Sequence, residues 1–71
     1  MWIKKRTAML NLERFDGLMI DRENPTRIVL MQANPKIKKI PLAEYDETTA
    51  VGVMEEIARA MQNGDTLYVM P

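Results

Sequence analysis

The 71 residues include no cysteine, no histidine and no serine. Without cysteine there is no disulfide and no thiolate metal site. Without histidine the commonest transition-metal ligand is missing, so neither a metal site nor a cofactor is expected. Ser, Cys and His also carry most nucleophilic and general-base chemistry near neutral pH. Thr, Asp, Glu, Lys and Tyr remain, but no paired-carboxylate motif is present, and three glycines do not make a phosphate-binding loop. The chain therefore reads as a non-enzyme with no catalytic residues. No apolar run approaches the roughly 20 residues that span a bilayer. The basic stretch Trp2-Ile3-Lys4-Lys5-Arg6 is not followed by the apolar segment of a signal peptide. No membrane contact and a cytoplasmic location are the expectation.

A chain of this length forms one small domain with a thin core, and such domains usually need a staple. With disulfides and the usual metal ligands excluded, oligomerisation or very good packing is left.

The stretch Asp46 to Gly64 organises the rest. Ala50, Val53, Met54, Ile57, Ala58 and Met61 recur at spacings of three and four, which puts them on one face of a helix. Gly52, Glu55, Glu56, Arg59 and Gln62 take the other face. Asp46 is a suitable N-cap, with Thr48 competing. Gly64 suits the residue just past the helix end, where a positive φ is needed.

Everything before the helix reads as short strands. Trp2 to Lys5 and Met9 to Leu12 make a hairpin around Arg6-Thr7-Ala8. Phe15 to Ile20 and Thr26 to Ala33 follow, separated by the turn signal Asn24-Pro25, and Asn34-Pro35 makes another turn. In Lys36 to Tyr45 the parity changes between Ile37 and the pair Ile40 and Leu42, which predicts a bulge around Lys38-Lys39. Pro41 cannot donate to a ladder, so this strand belongs at an edge, or Pro41 at the bulge. Thr66 to Met70 alternates as a terminal strand. The expected fold is α+β: a small antiparallel sheet of five to six short strands over residues 1–45, one amphipathic helix at 46–63 packed on it, and a last strand at 66–70, all in one domain.

A half-exposed strand should alternate apolar and polar. Phe15–Ile20 and Ile28–Met31 carry apolar side chains on both sides. One helix of about 18 residues, roughly 27 Å long, covers one sheet face. The second face is then expected to be buried by another copy of the chain, as a dimer or larger ring. The competing reading is a sheet curled into a small half-barrel. The seven methionines, spread over every element, read first as adaptable core filler.

Net charge is zero but unevenly placed. Residues 1–40 hold nine Lys/Arg and four Asp/Glu, a balance of +5, and residues 41–71 hold one and six, a balance of −5. A basic sheet half and an acidic helix half follow. The plain reading is a solvated surface, and lysines on an edge strand also discourage strand pairing. The functional reading is an anion-binding sheet face, with Lys4, Lys5, Arg6, Arg27, Lys36, Lys38 and Lys39 as ligand-binding candidates. Tyr45 and Tyr68 are available for base stacking.

Trp2-Ile3-Lys4, Asn11-Leu12, Leu42-Ala43-Glu44-Tyr45-Asp46, Val53-Met54-Glu55-Glu56-Ile57 and Tyr68-Val69-Met70-Pro71 are short motifs spread over the whole length. In them the chain resembles a group of small sheet-plus-helix proteins found in Firmicutes, their bacteriophages and integrative elements. The resemblance implies a small sheet with one helix and a phage or mobile-element origin, and it carries no functional residue across. Gly17-Leu18-Met19-Ile20 and Asn34-Pro35-Lys36 are similar to the small dimeric RNA-binding carbon-storage regulators. The N-terminal motif of that family is absent, and the acidic helix departs from it.

Three functions compete. The first is a small non-catalytic interaction protein that self-associates and binds a host protein. The second is an oligomer that sequesters a nucleotide or another small phosphorylated ligand, an anti-defence role, through its basic sheet face. The third is an RNA- or DNA-binding module, which zero net charge and only four aromatic residues disfavour.

Overall fold

The alternation of Trp2, Ile3 and Lys4 makes a strand with one buried side chain, β1 (Trp2–Lys5), which pairs antiparallel with β2 (Ala8–Asn11). Arg6 and Thr7 alone close the hairpin, and Arg6 takes φ 49°. A two-residue hairpin demands such a conformation, and no Gly or Asn is there to supply it. The return strand stops at Asn11, because Leu12 turns inward in a 3₁₀ turn, Leu12–Arg14. The Asn11 side chain caps that turn by accepting the Glu13 N–H at 3.1 Å.

The structure, a computed structural model, describes residues 1–33 and 36–71. The turn expected at Asn34-Pro35 lies outside the described residues. The remaining strands are β3 (Gly17–Ile20), β4 (Arg27–Gln32), β5 (Lys38–Glu44) and, after the helix, β6 (Leu67–Val69). The α+β class with six strands and one C-terminal helix holds. The strands are shared between two three-stranded sheets, in the orders β2-β1-β6 and β3-β4-β5. β6 runs parallel to β1, and the other pairings are antiparallel.

β5 lies at a sheet edge, as Pro41 requires. Its irregularity is not at Lys38-Lys39 but at Leu42: Ile28 faces Ala43 while Val29 faces Pro41. Pro41 has already interrupted the ladder, so the extra residue enters beside it and both Leu42 and Ala43 turn inward. The Leu42 carbonyl accepts from the Lys5 ammonium, which ties the first sheet to the second.

The helix, α1 (Glu47–Gln62), starts at an Asp46 N-cap whose carboxylate accepts the Thr49 N–H at 2.8 Å and the Thr49 hydroxyl at 2.9 Å. Those bonds hold the Asp46 carboxyl below its usual range, and Thr48 lies inside the helix. At the other end the Gly64 N–H reaches the Met61 carbonyl and the Asp65 N–H reaches the Ala60 carbonyl. With Gly64 at φ 74° this is a Schellman cap. The buried stripe is Ala50, Val53, Ile57 and Ala60. It is turned toward Ala60, and Ala58 and Met61, expected inside, are exposed. The two alanines let the helix approach closely, and the bulkier Met54 and Met61 side is left at the margin.

The inner faces of both sheets meet α1 in a single core of Ile3, Leu12, Ile28, Leu30, Leu42, Val53, Ile57 and Met70, with smaller neighbours. No helix among the described residues is long and apolar enough to cross a membrane.

Two glycines of the helix region respond in opposite directions to a methyl group. A Cβ at Gly52 meets nothing within 4 Å, so Gly52→Ala gains stability by about 0.5–1 kcal/mol through helix propensity. A Cβ at Gly64 also meets nothing, but φ there is positive, so Gly64→Ala loses about 1 kcal/mol. Urea unfolding of both variants against the parent measures the two shifts; equal signs contradict the helix assignment at one of its ends.

Candidate interaction face

Strand parity places Trp2 and Lys4 on the opposite side of β1 from the fully buried Ile3. Register carries that outer face across the sheet in two rows, Asn11–Trp2–Leu67 and Met9–Lys4–Val69. Trp2 is 46% exposed, Met9 56%, Leu67 44% and Val69 59%. Four of the large exposed hydrophobics therefore share one face around a single ammonium group. Isolated apolar residues at a surface need no explanation, whereas a contiguous patch of a few hundred Å² is the usual mark of a contact surface.

The second sheet handles its outer face differently. The apolar residues on both sides of Phe15–Ile20 and Ile28–Met31 lead to the expectation that a second copy covers one sheet face; the register puts Met19, Val29 and Met31 on this one. Val29 is only 1% exposed, and Met19 and Met31 are half-buried. Lys39 faces Met31 on one side of the sheet, and the Asp21 N–H bonds to the Arg27 carbonyl on the other. The Lys39–Asp21 ion pair, 3.2 Å, accordingly runs diagonally across the row that contains Val29. Its aliphatic stem is the kind of cover that long charged side chains supply.

The nine residues proposed from sequence as ligand contacts divide between different places. Lys4 stands on the apolar outer face. Lys5 is tied to the Leu42 carbonyl, Arg27 pairs with Glu44 at 3.6 Å, and Lys39 pairs with Asp21. Arg6 sits at the hairpin tip. Lys36 and Lys38 are exposed at the start of β5. The Tyr45 hydroxyl donates to the Pro71 carbonyl at 2.9 Å, and burial raises its pKa. The Tyr68 hydroxyl donates to the Glu56 carboxylate at 2.6 Å. Burial first, and then the hydrogen bond to Glu56 and its charge, push the Tyr68 phenol well above its ordinary value.

The structure brings Lys5, Arg6 and Tyr45 together around an open cleft of about 610 Å³ between the hairpin tip and the end of β5, with Glu44 on its wall. Lys36 and Lys38 belong to the other end of β5, about 20 Å away at 3.3 Å per residue. A second hollow, about 300 Å³, runs between α1 and the start of the second sheet, lined by Leu12, Phe15, Leu18, Met54, Ala58 and Met61. Among the described residues no group of three or more Asp and Glu side chains is placed to hold a metal ion.

Trp2, Met9, Leu67 and Val69 were not singled out together from sequence. The signal was present as alternation: β1 puts the buried Ile3, and β6 the half-buried Tyr68, between two large outward residues. What joined them was the parallel pairing of the two ends of the chain, which no local pattern announces. Comparison with protein-family models, with curated proteins and with solved structures finds no match to this chain.

The Asp21–Lys39 pair has a pH signature. The Glu23 N–H, donated to Asp21 at 3.2 Å, and then the Lys39 ammonium hold the Asp21 carboxyl below its usual range, against the opposing effect of burial. A lowered folded pKa contributes stability that is present above the unfolded value, near 4, and is lost as pH falls through the folded value. Urea unfolding across a pH series is expected to show this loss below about pH 4 in the parent. Lys39→Met should be less stable at neutral pH and show a shallower acid loss. Parallel pH profiles for the two proteins would mean that Lys39 does not act on Asp21.

Proposed function

We propose that this protein is a small non-catalytic interaction protein of the cytoplasm, working by self-association and by binding a host protein through the outer face of β2-β1-β6. The observation that carries this reading is the row-by-row clustering of Trp2, Met9, Leu67 and Val69 on one exposed face. Trp is among the residues enriched in contact hot spots, and Met9, Leu67 and Val69 extend the apolar area around it on one sheet. Lys4, in the middle, gives the face a sign: a carboxylate-bearing apolar surface complements it. The phage or mobile-element origin implied by the resemblance suits a protein that acts by occupying a partner.

A second reading is supported by the cleft at Lys5, Arg6 and Tyr45, which has room for a small phosphorylated ligand and would make the protein a nucleotide-sequestering oligomer. It is the weaker one, because the Lys5 ammonium is already engaged and Glu44 lines the same wall. A nucleic-acid role has less support still, since the basic side chains follow no single groove.

Sedimentation velocity on the parent tests self-association, and the parent is expected at multiples of its 8.2 kDa mass. Binding of the apolar fluorescent probe ANS tests the outer face: a Leu67→Lys/Val69→Lys double variant should bind it about tenfold more weakly, with unchanged self-association and an unchanged urea midpoint. Equal probe binding in both removes the face from the function. A thermal shift with a nucleotide panel in the same samples is expected to be flat, and a clear shift would favour sequestration instead.

A further inference from the structure

The first sheet also has an unguarded edge. In β1, the Trp2 N–H bonds to the Thr66 carbonyl and the Lys4 carbonyl accepts from the Met70 N–H. The backbone groups of Trp2 and Lys4 therefore point to β6, and those of Ile3 and Lys5 point to β2. With Ile3 opposite Leu10 and Lys5 opposite Ala8, the N–H and C=O groups of Met9 and Asn11 point the other way, out of the sheet. The Leu12 N–H to Met1 carbonyl bond, 2.9 Å, fits the same alternation. Among the described residues no backbone bond closes that side of β2, and β2 ends its sheet.

Bare edges are usually defended by charge, proline, a bulge or shortness. β5 carries Lys38, Lys39, Pro41 and the bulge at Leu42. β6 offers three residues, and β3 begins with Gly17. β2, Ala8-Met9-Leu10-Asn11, is four residues long and has no charge, proline or bulge.

We infer that β2 pairs antiparallel with β2 of a second copy about a two-fold axis at Leu10, joining two three-stranded sheets into one of six strands. The inference rests on the reading of the protein as an interaction module and names the surface by which it self-associates. The occupant is a second copy because the edge is self-complementary. In this register Met9 faces Asn11 of the other copy and Asn11 faces its Met9, so both outward pairs close their ladder bonds. Leu10 then faces Leu10 in a non-hydrogen-bonded pair, where side chains come closest. Leu10 is half-buried at the rim of the core in the single chain, and that contact completes its burial. The charges nearest the sheet centre, Lys4 in each copy, stay a strand away from the junction. The pairing also lays the two outer faces side by side, doubling the apolar surface offered to a partner.

The absence of cysteine makes the register directly readable. Under mild oxidation Leu10→Cys is expected to form a disulfide-linked dimer, since Cα atoms in such a pair lie about 4.5 Å apart, within disulfide range. Val69→Cys, on the outer face at the far strand β6, should not. Met9→Pro removes only the outward N–H and should raise the dimer dissociation constant about a hundredfold, through two lost bonds and the ring crowding the other copy. Its urea midpoint, read at a protein concentration where both proteins are monomeric, should stay near the parent's, because Pro is tolerated where an edge N–H faces out. Cross-linking at Val69→Cys but not Leu10→Cys overturns the edge pairing and leaves the face as the self-association surface. A parent protein that is monomeric at every concentration overturns the edge pairing too. Partner binding that survives the Leu67→Lys/Val69→Lys change would then separately count against the face.

Discussion

One helix of 16 residues has to serve two three-stranded sheets. That constraint organises the molecule. Ala50, Val53, Ile57 and Ala60 can line only one stripe, so the inner faces of both sheets converge on it, and Ile3, Ile28, Leu30 and Met70 become members of one core although they come from different sheets. A chain this short has no second helix for the outer faces. Each outer face must be closed by side chains of its own or left to water.

The two sheets resolve this in opposite ways. On β3-β4-β5 Lys39 of β5 pairs across β4 with Asp21, just after β3, and Val29, in the row between them, is buried. On β2-β1-β6 only Lys4 rises from the face, with no acid among its neighbours to draw it over the apolar side chains. Trp2, Met9, Leu67 and Val69 stay in water. The charge asymmetry of the chain thus acts locally. Three of the nine basic residues of the first forty positions are consumed in ties: Lys5 to a bulge carbonyl, Arg27 to Glu44, Lys39 to Asp21. A continuous anion-binding surface does not follow from their number.

The edges follow the same division. β5 carries its own protection, and the bulge next to Pro41 gives Lys5 a carbonyl to hold. The hairpin strand β2 has no such protection, and it borders the exposed apolar face. The exposed apolar face and the unprotected edge therefore belong to one half of the molecule, and α1 with its acidic outer residues covers the core.

Much of the fold was legible from residues alone, because its signals are local. The helix and both its ends follow from periodicity, from Asp46 and from Gly64. The edge position of β5 follows from Pro41, and each strand from a short apolar run between turns. Other features depend on contacts between residues far apart in the chain. Pairing of the first strand with the last divides the expected sheet in two, and it assembles Trp2, Met9, Leu67 and Val69 on one face. Parity shows that apolar side chains point both ways on β3 and β4, but not that Lys39 and Asp21, eighteen positions apart, close over Val29. The bulge moved from Lys38-Lys39 to Leu42 because register is set by the partner strand. The sequence by itself determined which segments are helix and strand and which side-chain types are absent. Tertiary structure decided which apolar face remains exposed, since that depends on which strands become neighbours and which charges find partners across them.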